Sequence, residues 1–140
     1  MSAAQLSDEE VARLHVAFAL VRYARLLGIE IVSLARGEAV LSMHVRPELT
    51  RMEGILHGGA LASLMDSTSA FAVLTLLAPG ERTVTVDLTL HFMRPISEGR
   101  VEARGRVLRA GRRVFTVSIE ATDAAGKSVA TALTTYLKTA

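Results

Sequence analysis

Residues 54–73 read GILHGGALASLMDSTSAFAV, and this stretch decides how the rest of the chain is arranged. Its apolar residues lie around most of the circumference of a helix, so a helix here must be buried on several sides. It carries two adjacent glycines, Gly58 and Gly59, and one carboxylate, Asp66, inside the apolar run. Because an isolated buried carboxylate is costly, such a group is usually paired, protonated or used in chemistry. The stretch therefore predicts a central helix over about 58–77 that also carries functional groups.

The segments before this helix predict one more helix and a pair of strands. Ser7 and Glu10 have the spacing of a capping box, and Gly28 is a typical C-terminal cap, so we expect a single amphipathic helix over about 7–27. Two extended runs joined by Arg36-Gly-Glu38 then predict a β-hairpin. The hairpin lies directly before the loop that leads into the central helix.

The segments after the central helix predict four strands. Residues 83–93, TVTVDLTLHFM, alternate without a break, which places Val84, Val86, Leu88, Leu90 and Phe92 on one face. Further strands are expected over about 100–109, 113–122 and 128–138, the last with Val129, Leu133 and Leu137 on one face. A sheet of about six strands can wrap a helix that is apolar nearly all round. We therefore expect an α+β fold and one domain over residues 1–140, with its core over about 28–138.

Composition excludes several classes of protein. There are no cysteines, and no pair of histidines has metal-ligand spacing, so we expect no metal site. Asp66 interrupts the longest apolar stretch, which argues against a membrane span. The N-terminus is acidic and lacks the basic region of a signal peptide, so we expect a cytoplasmic protein. Seven arginines between 94 and 113 favour an anionic ligand, but with four Phe, two Tyr and no Trp in the chain, nucleic acid is not expected.

The two glycines and Asp66 are the groups best suited to chemistry. A helix that begins at Gly58-Gly59 presents unpaired N–H groups to a carbonyl or oxyanion, and His57 directly before it could polarise that carbonyl or fix the loop. Asp66 follows Gly58 by eight residues, roughly 12 Å along the helix. One substrate bond cannot touch both, so either a two-fold dimer brings them together or they are unrelated. In the second case neighbouring Ser or Thr hydroxyls, such as those of Ser67 or Ser69, would hold Asp66.

These residues resemble the hotdog-fold acyl-CoA thioesterases, and the phenylacetic-acid-degradation branch most of all. The resemblance rests on GILHGGALASLMD (54–66), VTVDLTLHFMRP (84–95) and the strand pattern that follows, and it covers about residues 28–138. It implies an antiparallel sheet around a long helix, dimers joined edge to edge, and an active site at the dimer interface. Two such dimers could associate into a tetramer.

The resemblance also implies roles for individual residues. Gly59, or Gly58 beside it, would polarise the thioester carbonyl, and the partner subunit's Asp66 would act as base or nucleophile. Thr85 could hold the attacking water. The resemblance implies that Arg94-Pro95 and the AGRR turn contact the pantetheine arm and phosphates of coenzyme A, with Arg112 and Arg113 as the phosphate candidates. Apart from the resemblance, Leu61, Met65 and Phe71 of the central helix could frame an aromatic or medium aliphatic acyl group.

One position departs from the family pattern. Six residues before the histidine these enzymes usually carry Asn or Gln, and this chain has Arg51. A guanidinium only donates hydrogen bonds, so Arg51 cannot replace an amide directly; it could pair with Asp66 or bind an acidic acyl chain.

The departure at Arg51 leaves three functions open at this point. The first is hydrolysis of an aryl- or medium-chain acyl-CoA without metal or redox cofactor. The second is acyl-CoA binding without turnover, and the third is hydration or dehydration of an acyl-CoA. The pairing of helix N–H groups with Asp66 suits attack on a carbonyl better than proton transfer at carbon, so hydrolysis is the function we expect.

Overall fold

The computed structural model describes residues 4–139, so residues 1–3 of the acidic N-terminal stretch lie outside it. The regular elements follow the expected order of helices, hairpin, central helix and four strands. They are α1 (Asp8–Ala19), α2 (Arg22–Leu27), β1 (Glu30–Ala35), β2 (Glu38–His44), α3 (Gly58–Leu74), β3 (Arg82–Phe92), β4 (Arg100–Ala110), β5 (Val114–Thr122) and β6 (Ser128–Thr139).

The six strands form one antiparallel sheet in the order β1-β2-β4-β5-β6-β3. Helix α3 packs on this sheet, and its buried side chains meet those of the inner strands. Fully buried residues come from both sides of the contact (Leu64, Met65, Ala72 and Val73 from α3; Leu41, Val101 and Val117 from the strands). The predicted α+β architecture of a six-stranded sheet around a central helix is confirmed.

The N-terminal helix is two helices instead of one, which corrects the prediction. The capping box is present, since Ser7 Oγ accepts from the Glu10 N–H at 3.1 Å and Glu10 Oε1 accepts from the Ser7 N–H at 2.9 Å. The helix is interrupted at Leu20 and Val21, and the backbone of Val21 is extended. After the interruption, Ala24 and Leu27 of α2 are buried in the core.

Helix α3 ends at Leu74, three residues before the predicted end. The Thr75 hydroxyl donates to the carbonyl of Ala72 at 2.7 Å and accepts from the Gly37 N–H at 2.7 Å. This side chain therefore ties the end of α3 to the β1–β2 turn, and the chain leaves the helix there.

The unbroken alternation predicted for 83–93 is wrong, because β3 contains a bulge. Its register with β6 moves from Thr85 opposite Tyr136 to Asp87 opposite Thr135, which leaves Val86 without a partner. Strand β3 is also an edge strand, so Val84 and Val86 stay 48% and 58% exposed. In β6 the predicted apolar face is partly the outer one, since Leu133 is 50% exposed.

No helix within residues 4–139 is both long enough and apolar enough to cross a bilayer. The cytoplasmic location and the extent of the single domain over 1–140 stay predictions.

Candidate active site

Two hydroxyl groups hold Asp66, which lies half-buried near the middle of α3. Thr85 Oγ1 donates to Asp66 Oδ1 at 2.9 Å. The Tyr136 hydroxyl lies 2.5 Å from the same oxygen and 2.7 Å from the main-chain oxygen of Asp66. Ser69, one of the two partners considered from sequence, instead donates to the Met65 carbonyl at 2.8 Å. The pairing with Ser67 or Ser69 is therefore not the arrangement of this site.

The sheet explains why Thr85 and Tyr136 meet at Asp66. They are direct cross-strand partners on β3 and β6, so their side chains leave the same face of the sheet side by side. The bulge at Val86 follows immediately, and bulges often lie beside functional sites because they redirect a side chain. Tyr136 has no role in the sequence-based site, and its contact with Asp66 appears only once the β3–β6 register is known.

Tyr136 is a buried phenol with a carboxylate beside it. It is 1% exposed, and burial first, then the hydrogen bond to Asp66, raises the pKa of Tyr136 well above its ordinary value of 10.0. The hydroxyl therefore stays neutral, and able to donate, above the pH at which an ordinary tyrosine ionises.

The raised pKa of Tyr136 predicts a loss of stability in alkali. The unfolded chain releases this proton near pH 10.0 while the folded chain keeps it, so the stabilisation is complete below that pH and declines above it. We expect the free energy of unfolding in urea to fall as pH rises above about 10, and to fall less steeply in Tyr136→Phe. Equal slopes in both chains would contradict this prediction.

The N-terminus of α3 is capped by the side chain of His57. The Gly59 N–H donates to His57 Nδ1 at 2.8 Å, so that ring nitrogen carries no proton. A Cβ on Gly59 would lie 2.9 Å from Nδ1, which explains why a glycine is needed here. Within residues 4–139 no acceptor is found for the Gly58 N–H. Of the two predicted donors, Gly58 is thus the one left available for a ligand.

Two separate cavities border these groups. The aspartate cavity, about 300 Å³, lies between α3, β3 and the α1–α2 break (Phe18, Val21, Ala24, Asp66, Ser67, Ala70, Phe71, Thr83, Val84, Thr85 and Tyr136). The helix cavity, about 480 Å³, lies at the N-terminus of α3 (Arg51, Ile55, Leu56, Gly58, Leu61, Phe92, Met93, Arg94, Pro95 and Ile96). They share no residue, so one chain holds the two predicted halves of the site apart.

The remaining predicted substrate contacts fall in three places. Leu61, Arg51, Arg94 and Pro95 line the helix cavity. Met65 is fully buried in the core and lines neither cavity, and its contact with an acyl group stays a prediction. Arg112 and Arg113 are exposed at the β4–β5 turn, outside both cavities. Their contact with phosphates stays a prediction.

A profile described as the thioesterase superfamily matches residues 53–130. The chain belongs to this family: it is a hotdog-fold thioester hydrolase. Human acyl-coenzyme A thioesterase 13 is 36% identical to it over 113 residues, which cover 77% of this chain and 79% of that protein.

Among solved structures, the resemblance to the PaaI type predicted from sequence is confirmed. PaaI of the Escherichia coli phenylacetic acid degradation operon superposes with a TM-score of 0.89 at 27% identity, covering 97% of each chain. A variant of the phenylacetic acid degradation protein PaaI from Thermus thermophilus gives a TM-score of 0.76 at 32% identity, covering 83% of this chain and 97% of that one.

Proposed function

We propose that the chain hydrolyses an acyl-CoA to a free acid and coenzyme A, in a site that two copies of the chain build together. The observation that carries this proposal is the separation of the half-sites. Asp66 lines one cavity and Gly58 the other, and the two cavities have no residue in common. Attack on a carbonyl needs both a base or nucleophile and an oxyanion donor around the same carbon.

Strand β3 offers the surface through which two copies would join. It is an edge strand, and exposed edges with apolar side chains are usually covered. Large apolar residues on and just after it are exposed (Val84, Val86, Phe92 and Met93). Two β3 strands paired antiparallel near Asp87 would bring the Phe92 end of one copy to the Arg82 end of the other.

That pairing would assemble the reacting groups. Gly58 lies under Phe92, since a Cβ on Gly58 would be 3.3 Å from Phe92 Cζ. Asp66 lies beside Thr85, near the other end of β3. Because opposite ends of the two β3 strands would meet, the pairing supports a site in which the helix N-terminus of one copy faces Asp66 of the other. The two-fold axis would create two such sites.

The chemistry follows from these groups. As general base, Asp66 takes a proton from water while the water oxygen bonds to the thioester carbon; the C–S bond then breaks, and the sulfur leaves with the proton that Asp66 holds. As nucleophile, Asp66 bonds to that carbon itself, and the C–S bond breaks to release the thiolate and leave an anhydride. Water then hydrolyses the anhydride to the carboxylic acid, whose proton goes to the thiolate. On both routes the Gly58 N–H stabilises the developing oxyanion. The steps need no metal or redox cofactor.

The linings of the cavities support an assignment of the substrate's two ends. The aspartate cavity is mainly apolar, and the Phe18 and Phe71 rings that line it pack edge to face with their centroids 5.3 Å apart. Such a lining suits an aryl or medium-chain acyl group. The helix cavity carries Arg51 and Arg94, whose charges suit the phosphates of coenzyme A. On this assignment Arg51 binds the coenzyme A end of the substrate. It does not take the role of the Asn or Gln that related enzymes usually carry at this position.

The test is thiol release from a panel of aryl, short-, medium- and long-chain acyl-CoAs, with an enoyl-CoA included. We expect release from the aryl and medium-chain members. Binding without thiol release across the panel, or loss of the enoyl double bond without thiol release, would overturn the proposal.

A further inference from the structure

Both hydrogen bonds to the Asp66 side chain reach the same oxygen. Thr85 Oγ1 and the Tyr136 hydroxyl converge on Oδ1, and no side-chain or main-chain donor within residues 4–139 binds Oδ2. A carboxylate held at one oxygen by two donors keeps its plane fixed and presents the other oxygen to a ligand. Within the Asp66 carboxylate, Oδ1 is therefore held by two hydrogen bonds, whereas Oδ2 is available to a ligand.

We infer that Tyr136 is a positioning residue that, together with Thr85, fixes Oδ1 of Asp66 and so makes Oδ2 the reacting oxygen. This inference rests on the proposed function, because it assigns a role within the same thioesterase site. Tyr136 acts through Asp66, because its hydroxyl bonds the carboxylate and the residue is only 1% exposed.

Tyr136 is the more firmly placed of the two donors. Its side chain is 1% exposed, and its strand β6 lies between β5 and β3. Its hydroxyl also lies 2.7 Å from the main-chain oxygen of Asp66, which belongs to the rigid backbone of α3. Thr85 lies on the edge strand, next to the bulge, and is exposed. The Tyr136 hydroxyl is therefore the more rigidly held of the two donors to the Asp66 carboxylate.

The position of the aspartate cavity agrees with this role. Asp66, Thr85 and Tyr136 all line it, so the carboxylate stands at the boundary between the buried hydroxyls and the space for an acyl group. Rotation of the carboxylate about its Cβ–Cγ bond would break both hydrogen bonds to Oδ1. Hydrogen bonds to a charged group are among the stronger ones in proteins, so this rotation is disfavoured in the wild-type chain.

The experiment compares Tyr136→Phe with wild type in steady-state thiol release. Loss of the hydroxyl should lower kcat about 10- to 100-fold and leave KM within about twofold, because Tyr136 is only 1% exposed and its hydroxyl acts through Asp66. The matched control is Tyr23→Phe, whose hydroxyl bonds Ser63 Oγ at 2.9 Å between α2 and α3; neither residue lines either cavity, so we expect it to keep wild-type kcat. Thermal denaturation checks that each variant is folded.

A second variant covers the case in which Tyr136→Phe does not fold. Thr85→Val removes the other donor to Oδ1 from an exposed edge strand, and we expect it to lower kcat with KM unchanged. Unchanged kcat in folded Tyr136→Phe, or in Thr85→Val when only that variant folds, would overturn the inference while leaving the proposed function intact. Full activity in Asp66→Asn would instead overturn the role of Asp66 as base or nucleophile, and absence of thiol release by the wild-type chain would overturn the proposed function itself.

Discussion

Asp66→Asn is expected to lower kcat for thiol release by about 10²- to 10⁴-fold while the fold and the oligomeric state stay as in wild type. The amide keeps an oxygen that Thr85 and Tyr136 can bind, so the local hydrogen bonds survive the change. It can neither accept a proton from water nor attack a carbonyl. The variant therefore removes the chemistry of the carboxylate with little change in its shape.

The matched control for this variant is Asp123→Asn. Asp123 Oδ1 accepts from the N–H groups of Ala125 and Lys127, each at 2.9 Å, in the β5–β6 turn. An asparagine oxygen can accept the same bonds, so we expect wild-type turnover. If Asp66→Asn released thiol as fast as Asp123→Asn, Asp66 would be neither base nor nucleophile.

The second large effect is expected at Gly58. Comparing Gly58→Pro with Gly58→Ala distinguishes the effect of losing the N–H group from the effect of adding a side chain. Gly58 is the first residue of α3, a position at which proline is favoured, and His57 before it is already extended (φ −63°, ψ 134°). Gly58→Pro thus removes one N–H while the helix is kept. We expect kcat about 10²- to 10³-fold below that of Gly58→Ala.

Gly58→Ala is the control because it adds the same Cβ and keeps the N–H. That Cβ would lie 3.3 Å from Phe92 Cζ, so the Phe92 ring must shift by a few tenths of an ångström. The cost of placing Cβ beside Phe92 is common to both variants, whereas the Cγ and Cδ of the proline ring are added only by Gly58→Pro. Equal kcat in the two would show that the Gly58 N–H is not the oxyanion donor.

Sequence patterns predicted the elements whose signals are local. The capping box at Ser7 and Glu10, the β1–β2 hairpin and the start of α3 at Gly58 each depend on residues close together in the chain. The apolar circumference of α3 also predicted the sheet around it, since only a wrapped helix can bury such a surface. Asp66 and the two glycines could be identified from sequence because a carboxylate and a Gly-Gly pair are unusual in an apolar helix.

The features that sequence missed depend on tertiary contacts. The break at Leu20–Val21 accompanies the burial of α2 in the core, and the bulge at Val86 follows from the pairing of β3 with β6. Tyr136 lies 70 residues after Asp66, and its place opposite Thr85 needs the strand register. His57 was expected from sequence to polarise the carbonyl or fix the loop, and its side chain caps the first turn of α3.

The central claim is that each site takes Asp66 from one copy and the helix N-terminus from the other, and mixing two inactive chains tests it most directly. Asp66→Asn keeps an intact helix N-terminus, and Gly58→Pro keeps an intact Asp66. Co-produced in equal amounts, half of the dimers would pair the two variants, and one of the two sites in each would be wild type. We predict recovery of about a quarter of wild-type activity, from variants that are each inactive alone. Activity no greater than the sum of the two separate variants would contradict the shared site.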